Sequence, residues 1–499
     1  MRPLLSWYAR TQARSLSRHP LEEAQTRVFK SLLQKSAGSR FFKDHQLDIG
    51  LSVADYQNRV PARDYEFYRQ AYIEPHLDQL DGVLSNQSVI WLARTSGSSA
   101  GREKFMPVTT DFLGDNRRAS LLQAQFNYLR VEDPRVLLSP VFWLTDMSDL
   151  FQAGGYQAAT ISRLMRHTLP PWINRRLFPP LQILHHQPAS ERFKLAVQAA
   201  SERKFRFVSG ITPWLLKFFE DLLALTGAAD LKVLWPELTM ISHAGVDFSL
   251  HEAKMRRLAG EGVMFVESYV ATEGFIGFQD LDARGLRILP EHGLFYEFIR
   301  QADLHQASPR RYLLWEVEPG VPYSLYISNS SGLWSYEVGD FIVFDRLEPW
   351  PLFRVIGRVH EKFDFFGEKV LIDEIRKSLQ LSNQQHAAVL NHFHVGADFE
   401  QTCMLLLLDF DRTPQDLAAY LQAFDLNLRP LNDQYRRNRV NSINQPPQAI
   451  ALVPGAFQHW MDHSGQTRLQ AKAPQMFHQQ EAFQQLLAYF RQHQLIEQE

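Results

Sequence analysis

Four short apolar runs, residues 89–92, 205–208, 238–242 and 263–266, alternate with stretches whose apolar residues recur at helical spacing, such as 215–225 and 250–258. This alternation limits the fold more than any other feature. Strands that are apolar on both faces need cover on both faces, and intervening helices supply it. The pattern therefore predicts an α/β core with largely buried strands. From about residue 293 strands dominate, at 313–317, 323–327 and 341–344, which predicts an appended small barrel or a second sheet. Further on, 404–410 reads as a strand, and 414–424 and 481–495 as helices. In the last helix Phe483, Leu486, Leu487 and Phe490 form one apolar stripe, so the C-terminal part reads as a small α+β domain.

At 499 residues the chain exceeds a single compact core, and two or three domains are expected. Lys and Arg number 53 against 55 Asp and Glu, a net charge of −2, so no bulk field favours nucleic acid. The lone cysteine, Cys403, excludes an intrachain disulfide framework and any multi-cysteine metal site, and its apolar neighbours predict an inert buried thiol. The histidines show no H-E-x-x-H spacing, and His185-His186 reads as a loop or helix surface. No segment reaches the roughly 18 apolar residues that span a bilayer. Arg2, Arg10, Arg14 and Arg18, with no acid before Glu22, give the N-terminus a targeting-like charge. Leu4, Leu5, Tyr8 and Ala9 share one helical face, however, which favours a packing helix, and the cytoplasm is the default expectation.

The run Thr95-Ser96-Gly97-Ser98-Ser99-Ala100-Gly101, followed by Arg102-Glu103-Lys104, comes just after the strand 89–92. A strand that stops in such a loop can turn several backbone N–H groups toward one point, with hydroxyls and Lys104 added. That combination suits a polyphosphate; the plainer reading is a flexible surface turn. The spacing is neither G-x-x-x-x-G-K-[ST] nor G-x-G-x-x-G. It does satisfy G-x-S-x-G through Gly97 to Gly101, but a nucleophile elbow needs an immediate helix. Pro107 and the extended character of 105–109 oppose one.

Three further segments carry matching chemistry. The strand 263–266 leads into Tyr269-Val270-Ala271-Thr272-Glu273, which sets an aromatic face, a hydroxyl and a carboxylate beside a bound nucleotide. Tyr336-Glu337-Val338-Gly339-Asp340 places a carboxylate just after a turn glycine, suited to two ribose hydroxyls. Gly357-Arg358-Val359-His360 precedes Asp364-Phe365-Phe366-Gly367-Glu368-Lys369.

With these segments the chain resembles the adenylate-forming superfamily, and within it the acyl-acid amido synthetases: plant auxin- and jasmonate-conjugating enzymes and their bacterial relatives. The likeness runs through Thr95 to Pro107, Tyr269 to Glu273, Tyr336 to Asp340 and Phe353-Arg354 to Arg358. It includes Val60-Pro61-Ala62-Arg63-Asp64-Tyr65, Gly210-Ile211-Thr212-Pro213-Trp214, Leu431-Asn432-Asp433-Gln434-Tyr435 and Gln470-Ala471-Lys472-Ala473-Pro474. The order of matches along the chain is more specific than any one of them.

The resemblance implies roles. Thr95, Ser96, Gly97, Ser98, Ser99 and Gly101 would embrace the β- and γ-phosphates of ATP, with Lys104 at the rim. Tyr269 would lie against adenine, Thr272 would touch the α-phosphate, and Glu273 would hold Mg²⁺. Ala244 and Gly245 would border the adenine or acyl pocket, Asp340 would accept from the ribose, and Arg358 would meet the ribose or phosphate side. Lys472 would be the mobile catalytic lysine, acting with Glu273 and Thr272. His360 stands where many relatives carry a hinge aspartate, and Asp364 where a lysine is common, which leaves the hinge assignment open. An ATP- and acyl-binding domain over residues 1–357 and a mobile C-terminal domain over 358–499 are expected.

The implied reaction activates a carboxylic acid as acyl-AMP with release of pyrophosphate, then forms an amide with an amino acid. An AMP-forming coenzyme A ligase shares the first half, and a non-catalytic nucleotide-binding protein is the alternative from another class. Neither nucleic acid nor membrane is expected as a partner.

Overall fold

The computed structural model describes residue 11 and residues 20–99, 102–133, 135–245, 248, 251–281, 285–304, 306–358, 362–463, 475–477 and 480–497. The N-terminal face of Leu4, Leu5, Tyr8 and Ala9 lies outside them. Two compact units result. The first comprises Met1–Thr95, Lys104–Phe248 and Glu252–Val359, and the second Ser96–Glu103, Ser249–His251 and His360–Glu499.

The first described helix, α1 (Leu21–Ser36), opens with Glu22 and Glu23 and closes with Lys35, charges that complement its dipole. Its stripe of Val28, Phe29, Leu32 and Leu33 is buried. Gln25, also buried, donates to the carbonyls of Pro290 (2.6 Å) and Leu294 (2.9 Å) and accepts from the Tyr296 N–H.

A four-stranded sheet contains β1 (Val89–Ser99), β2 (Arg102–Thr109), β4 (Phe151–Ala153) and β5 (Tyr156–Ala159), in the order β2-β1-β5-β4. Here the structure corrects the expected loop. β1 does not stop near residue 92, where Leu92 and Ala93 pair with Ala158 and Ala159 of β5, but continues as extended chain through the glycine–serine run to Ser99. β2 carries Pro107 in extended chain, so no helix follows the run.

The second sheet has twelve strands. Its parallel half is β3 (Val141–Leu144), β6 (Leu177–Phe178), β7 (Phe207–Ile211), β8 (Met240–Ala244) and β9 (Met264–Ala271). The antiparallel half adds β10 (Gly274–Gln279), β11 (Leu286–Ile288), β12 (Leu294–Arg300), β13 (Tyr312–Leu313), β14 (Pro322–Asn329), β15 (Tyr336–Arg346) and β16 (Leu352–Arg358). The order is β13-β12-β14-β15-β16-β11-β10-β9-β8-β7-β3-β6. The strand-rich stretch thus continues the α/β sheet. The strand expected at 313–317 shortens to Tyr312–Leu313, because Glu316 folds back: its carboxylate accepts the Leu313 N–H (2.9 Å) and its own N–H meets the Leu313 carbonyl (2.8 Å).

Helix α2 (Thr110–Val131) sets Ala119, Leu122 and Phe126 against Phe275 and Phe278 of β10, whereas α3 (Thr212–Thr226) and α4 (Glu252–Ala259) pack on the parallel half. Phe142 is fully buried there among Phe178, Phe205, Phe218 and Trp235, which makes it core.

In the second unit β17 (Lys362–Phe363) pairs with β18 (Val370–Leu371). A three-stranded sheet follows, β19 (Val389–Asp398), β20 (Cys403–Arg412) and β21 (Gln448–Leu452), antiparallel then parallel. The continuous apolar run of β20 serves two cores at period two. Met404, Leu406, Leu408 and Phe410 join one, with residues of α5 (Ile372–Gln385) and α6 (Leu417–Leu428). Leu405 and Leu407 join the other, with α7 (Ala456–His463) and α8 (Gln480–Gln492). Phe483, Leu486, Leu487 and Phe490 are buried as their stripe predicts. Cys403 is buried too, and burial pushes its thiol up to about 11.

Candidate functional site

In the first unit, the β9–β10 hairpin turns tightly on Thr272 and Glu273, with Ala271 paired to Gly274. Glu273 is held from β14 and β15. Its carbonyl accepts from Asn329 Nδ2 at 2.9 Å, and its carboxylate oxygen Oε1 accepts from the Tyr336 hydroxyl at 3.2 Å. Asn329 is fixed in turn by the N–H groups of Ser331 and Leu333, which its side-chain oxygen receives at 3.0 and 3.3 Å. Tyr336 is 2% exposed. Burial, reinforced by the Glu273 charge, drives its phenol far above the ordinary tyrosine range, so it stays a proton donor.

Tyr269, on β9, donates its hydroxyl to Asp340 Oδ2 on β15, and its ring lies 5.9 Å from that of Phe353. Asp340 is 3% exposed and pairs in register with Arg358. Four steps separate β9 from β15 in the strand order. In a flat sheet they would stand about 19 Å apart at roughly 4.8 Å per step. Direct hydrogen bonds between them require the antiparallel half to curl back on itself, barrel fashion, so that both carboxylates meet one end of β9.

Ala244 ends β8, whose pairing with β9 runs to His243 opposite Glu267, so Ala244-Gly245 leave the sheet beside Ser268 and Tyr269. Gly245 has φ +97°, and a Cβ there would stand 2.9 Å from Ile211 Cγ2, so the position calls for glycine. Behind this face Gln123 of α2 donates to the hydroxyls of Ser268 (2.5 Å) and Ser242 (3.3 Å), tying the helix to both strands.

The structure thus brings Tyr269, Thr272, Glu273 and Asp340 together, with Ala244 and Gly245 one strand over. Thr95, Ser96, Gly97, Ser98 and Ser99 have their backbone in β1, but their side chains lie outside the described residues, as do Gly101 and the Arg358 side chain. Lys472 lies outside them altogether. Lys104 lies on β2 with its ammonium 5.1 Å from the centre of the Tyr65 ring. Among the described residues no group of three or more His, Cys, Asp or Glu side chains is set to hold a metal. One half-buried carboxylate on a turn fits Mg²⁺ that arrives with nucleotide phosphates and keeps its waters, rather than a resident metal cage.

Sequence reasoning assigned no role to Tyr336 or Asn329. One signal for the first was present: Tyr269-x-x-x-Glu273 and Tyr336-x-x-x-Asp340 repeat the same spacing.

The GH3 family N-terminal domain matches residues 12–200, its central domain 287–358 and its C-terminal domain 373–481. No curated protein matches the chain by sequence. Among solved structures, the AtGH3.15 acyl acid amido synthetase in complex with 2,4-DB is 16% identical, with a TM-score of 0.63 over 99% of this chain and 96% of that one. A second GH3.15 acyl acid amido synthetase structure is 17% identical, with a TM-score of 0.62 over 100% and 97%. A 2-hydroxyisobutyryl-CoA ligase in complex with 2-HIB-AMP and CoA is 14% identical, with a TM-score of 0.58 over 95% and 91%. At these identities the likeness speaks for the fold.

Proposed function

The chain belongs to the GH3 family, and from that premise we propose that it is an ATP-dependent acyl-acid amido synthetase. It activates a small carboxylic acid as acyl-AMP and passes the acyl group to an amino acid. The observation that carries this reading is the convergence of Tyr269, Glu273 and Asp340 at one end of β9, achieved by curling the sheet.

In the first half-reaction a carboxylate oxygen of the acid attacks the α-phosphorus of ATP in line; the new P–O bond forms as the bond to pyrophosphate breaks. The Tyr269 ring supports adenine, and Asp340 accepts from the ribose hydroxyls, exchanging its bond to the Tyr269 phenol for them. Thr272 faces the α-phosphate. Glu273 would hold Mg²⁺, which supplies charge neutralisation when bound. The backbone of the 95–101 segment and the charge of Lys472 complete the neutralisation that a weak carboxylate nucleophile needs against a polyanion. Holding both reactants in place contributes several kcal/mol more, roughly up to 7–11 in ideal cases. In the second half a neutral amine attacks the acyl carbonyl, AMP leaves with the bonding pair, and the nitrogen gives up a proton. The C-terminal domain from residue 358 is assigned the movement that separates the two halves, and the cytoplasm is the proposed compartment.

The fold likeness to a CoA ligase keeps one alternative in view, with a thiol in place of the amine. Incubation with ATP, Mg²⁺ and a panel of aromatic and aliphatic acids, with either coenzyme A or mixed amino acids, separates them by mass spectrometry. Acid-dependent pyrophosphate release and an amide product are expected. A thioester without amide would overturn the amide-forming reading, and no pyrophosphate release would leave a nucleotide-binding protein without catalysis.

A further inference from the structure

The two equally spaced tyrosine–carboxylate segments exchange partners in the fold. Tyr269 serves Asp340, and Tyr336 serves Glu273, so each phenol holds the carboxylate of the other segment. Both bonds close the curl of the sheet rather than follow its ladders. The two phenols are not equally fixed. Tyr269 is half-buried at the end of β9. Tyr336 is buried against Tyr68, ring centres 5.7 Å apart. Its strand start is pinned by Arg63, whose N–H meets the Ser335 carbonyl (3.1 Å) and whose carbonyl receives the Glu337 N–H (2.8 Å).

We propose that Tyr336 is the positioning residue for the Glu273 carboxylate, and that the crossed pair is a latch holding the metal-binding and ribose-binding carboxylates in fixed relation. The inference rests on the adenylating function above. A glutamate on a tight turn has several rotamers and must present one of them to a cation. A lysine or arginine beside it would cancel the charge the cation needs. A neutral phenol only aims that charge, and an anchored phenol does so at little further entropic cost. The two ends then behave differently. Ribose hydroxyls replace the Tyr269 phenol on Asp340 when nucleotide enters, whereas Tyr336 keeps Glu273 throughout.

The test compares two ligands on Tyr336→Phe by titration calorimetry with no acid present: Mg²⁺·ATP, which engages both ends, and AMP in chelator, which engages only the ribose end. Expected is a loss of Mg²⁺·ATP affinity of about tenfold or more, the usual scale for losing a partner of a metal-binding carboxylate, with AMP affinity retained. The free Mg²⁺ that half-saturates pyrophosphate release rises in parallel. Equal weakening of both ligands, or unchanged Mg²⁺·ATP binding, overturns the latch. Should the variant fail to fold, 3-fluorotyrosine at position 336 keeps the buried ring. Its ¹⁹F resonance is expected to move with Mg²⁺·ATP and not with AMP, and a resonance indifferent to Mg²⁺·ATP overturns the proposal. Wild-type protein that binds neither ligand would sink the adenylating function itself, whereas wild-type binding undiminished in the variant sinks the latch alone.

Discussion

Asp340 is an acid in a nearly closed environment whose partner, the Tyr269 phenol, is neutral. Ribose hydroxyls are the same kind of donor, so exchange costs no charge rearrangement. Hydrogen bonds to a charged acceptor contribute about 1.5–3 kcal/mol each. Asp340→Asn is therefore expected to lower kcat/KM for ATP by roughly 10–100-fold per bond lost, in pyrophosphate-release assays at fixed acid. His292 makes a second residue-level case. Its Nδ1 is buried with no hydrogen-bond partner among the described residues, and burial, helped by Arg118, lowers its pKa from 6.5 to about 4. The folded state thus keeps the ring neutral while the unfolded chain takes a proton. Stability from this group is complete above pH 6.5 and is lost as pH falls toward 4, by about 2 kcal/mol between pH 7 and pH 5. Urea melts at those two pH values should show the loss in wild type and not in His292→Gln. Tyr269, Glu273 and Asp340 were legible as chemistry because each stands in a short motif. Asn329 was not, and Tyr336 only through its repeated spacing to a carboxylate, since no local pattern tells which distant strand a curled sheet will bring opposite a turn.

Among elements, β1 shows how context overrides composition. A glycine–serine run has poor strand propensity, yet it continues a strand paired at Leu92 and Ala93 and stays extended to Ser99. The strand after residue 312 fails for a complementary reason, since Glu316 offers the Leu313 N–H a nearer acceptor than a neighbouring strand. The β14–β15 connection tests how far one element sets the site. Gly332 has φ +92°, and a Cβ there would fall 2.4 Å from the backbone carbonyl of Leu84. Backbone cannot rotate aside as a side chain can. Gly332→Ala should cost about 1–3 kcal/mol for the strained φ, with a clash of similar size added. Because the same connection carries Asn329 and Tyr336, the variant should also bind Mg²⁺·ATP more weakly than its residual folded fraction explains. Thermal melts with calorimetry on the folded protein check both expectations.

At the scale of the whole chain, the alternation of apolar runs and the late apolar stripe made two kinds of core legible. What the pattern could not convey is that the twelve strands form one continuous order, because hydrophobic period reports faces and not neighbours. Among the described residues the apolar clusters around β19–β21 consist of second-unit residues, and those of the two large sheets of first-unit residues. Units with separate cores break two-state behaviour, so calorimetry should resolve two unfolding transitions. The smaller unit offers a probe that leaves the nucleotide residues of the first unit untouched. Gly396, on β19, is packed so closely that a Cβ would meet the Phe483 ring at 2.4 Å. Gly396→Ala must drive Phe483 out of the stripe that docks α8, an overpacking cost of about 1–3 kcal/mol. It should lower only the smaller unit's transition. Mg²⁺·ATP at a hundred times its Kd should raise the larger unit's, which holds Tyr269, Glu273 and Asp340, by about 2.7 kcal/mol. A single transition shifted by both would mean that the units unfold as one cooperative body.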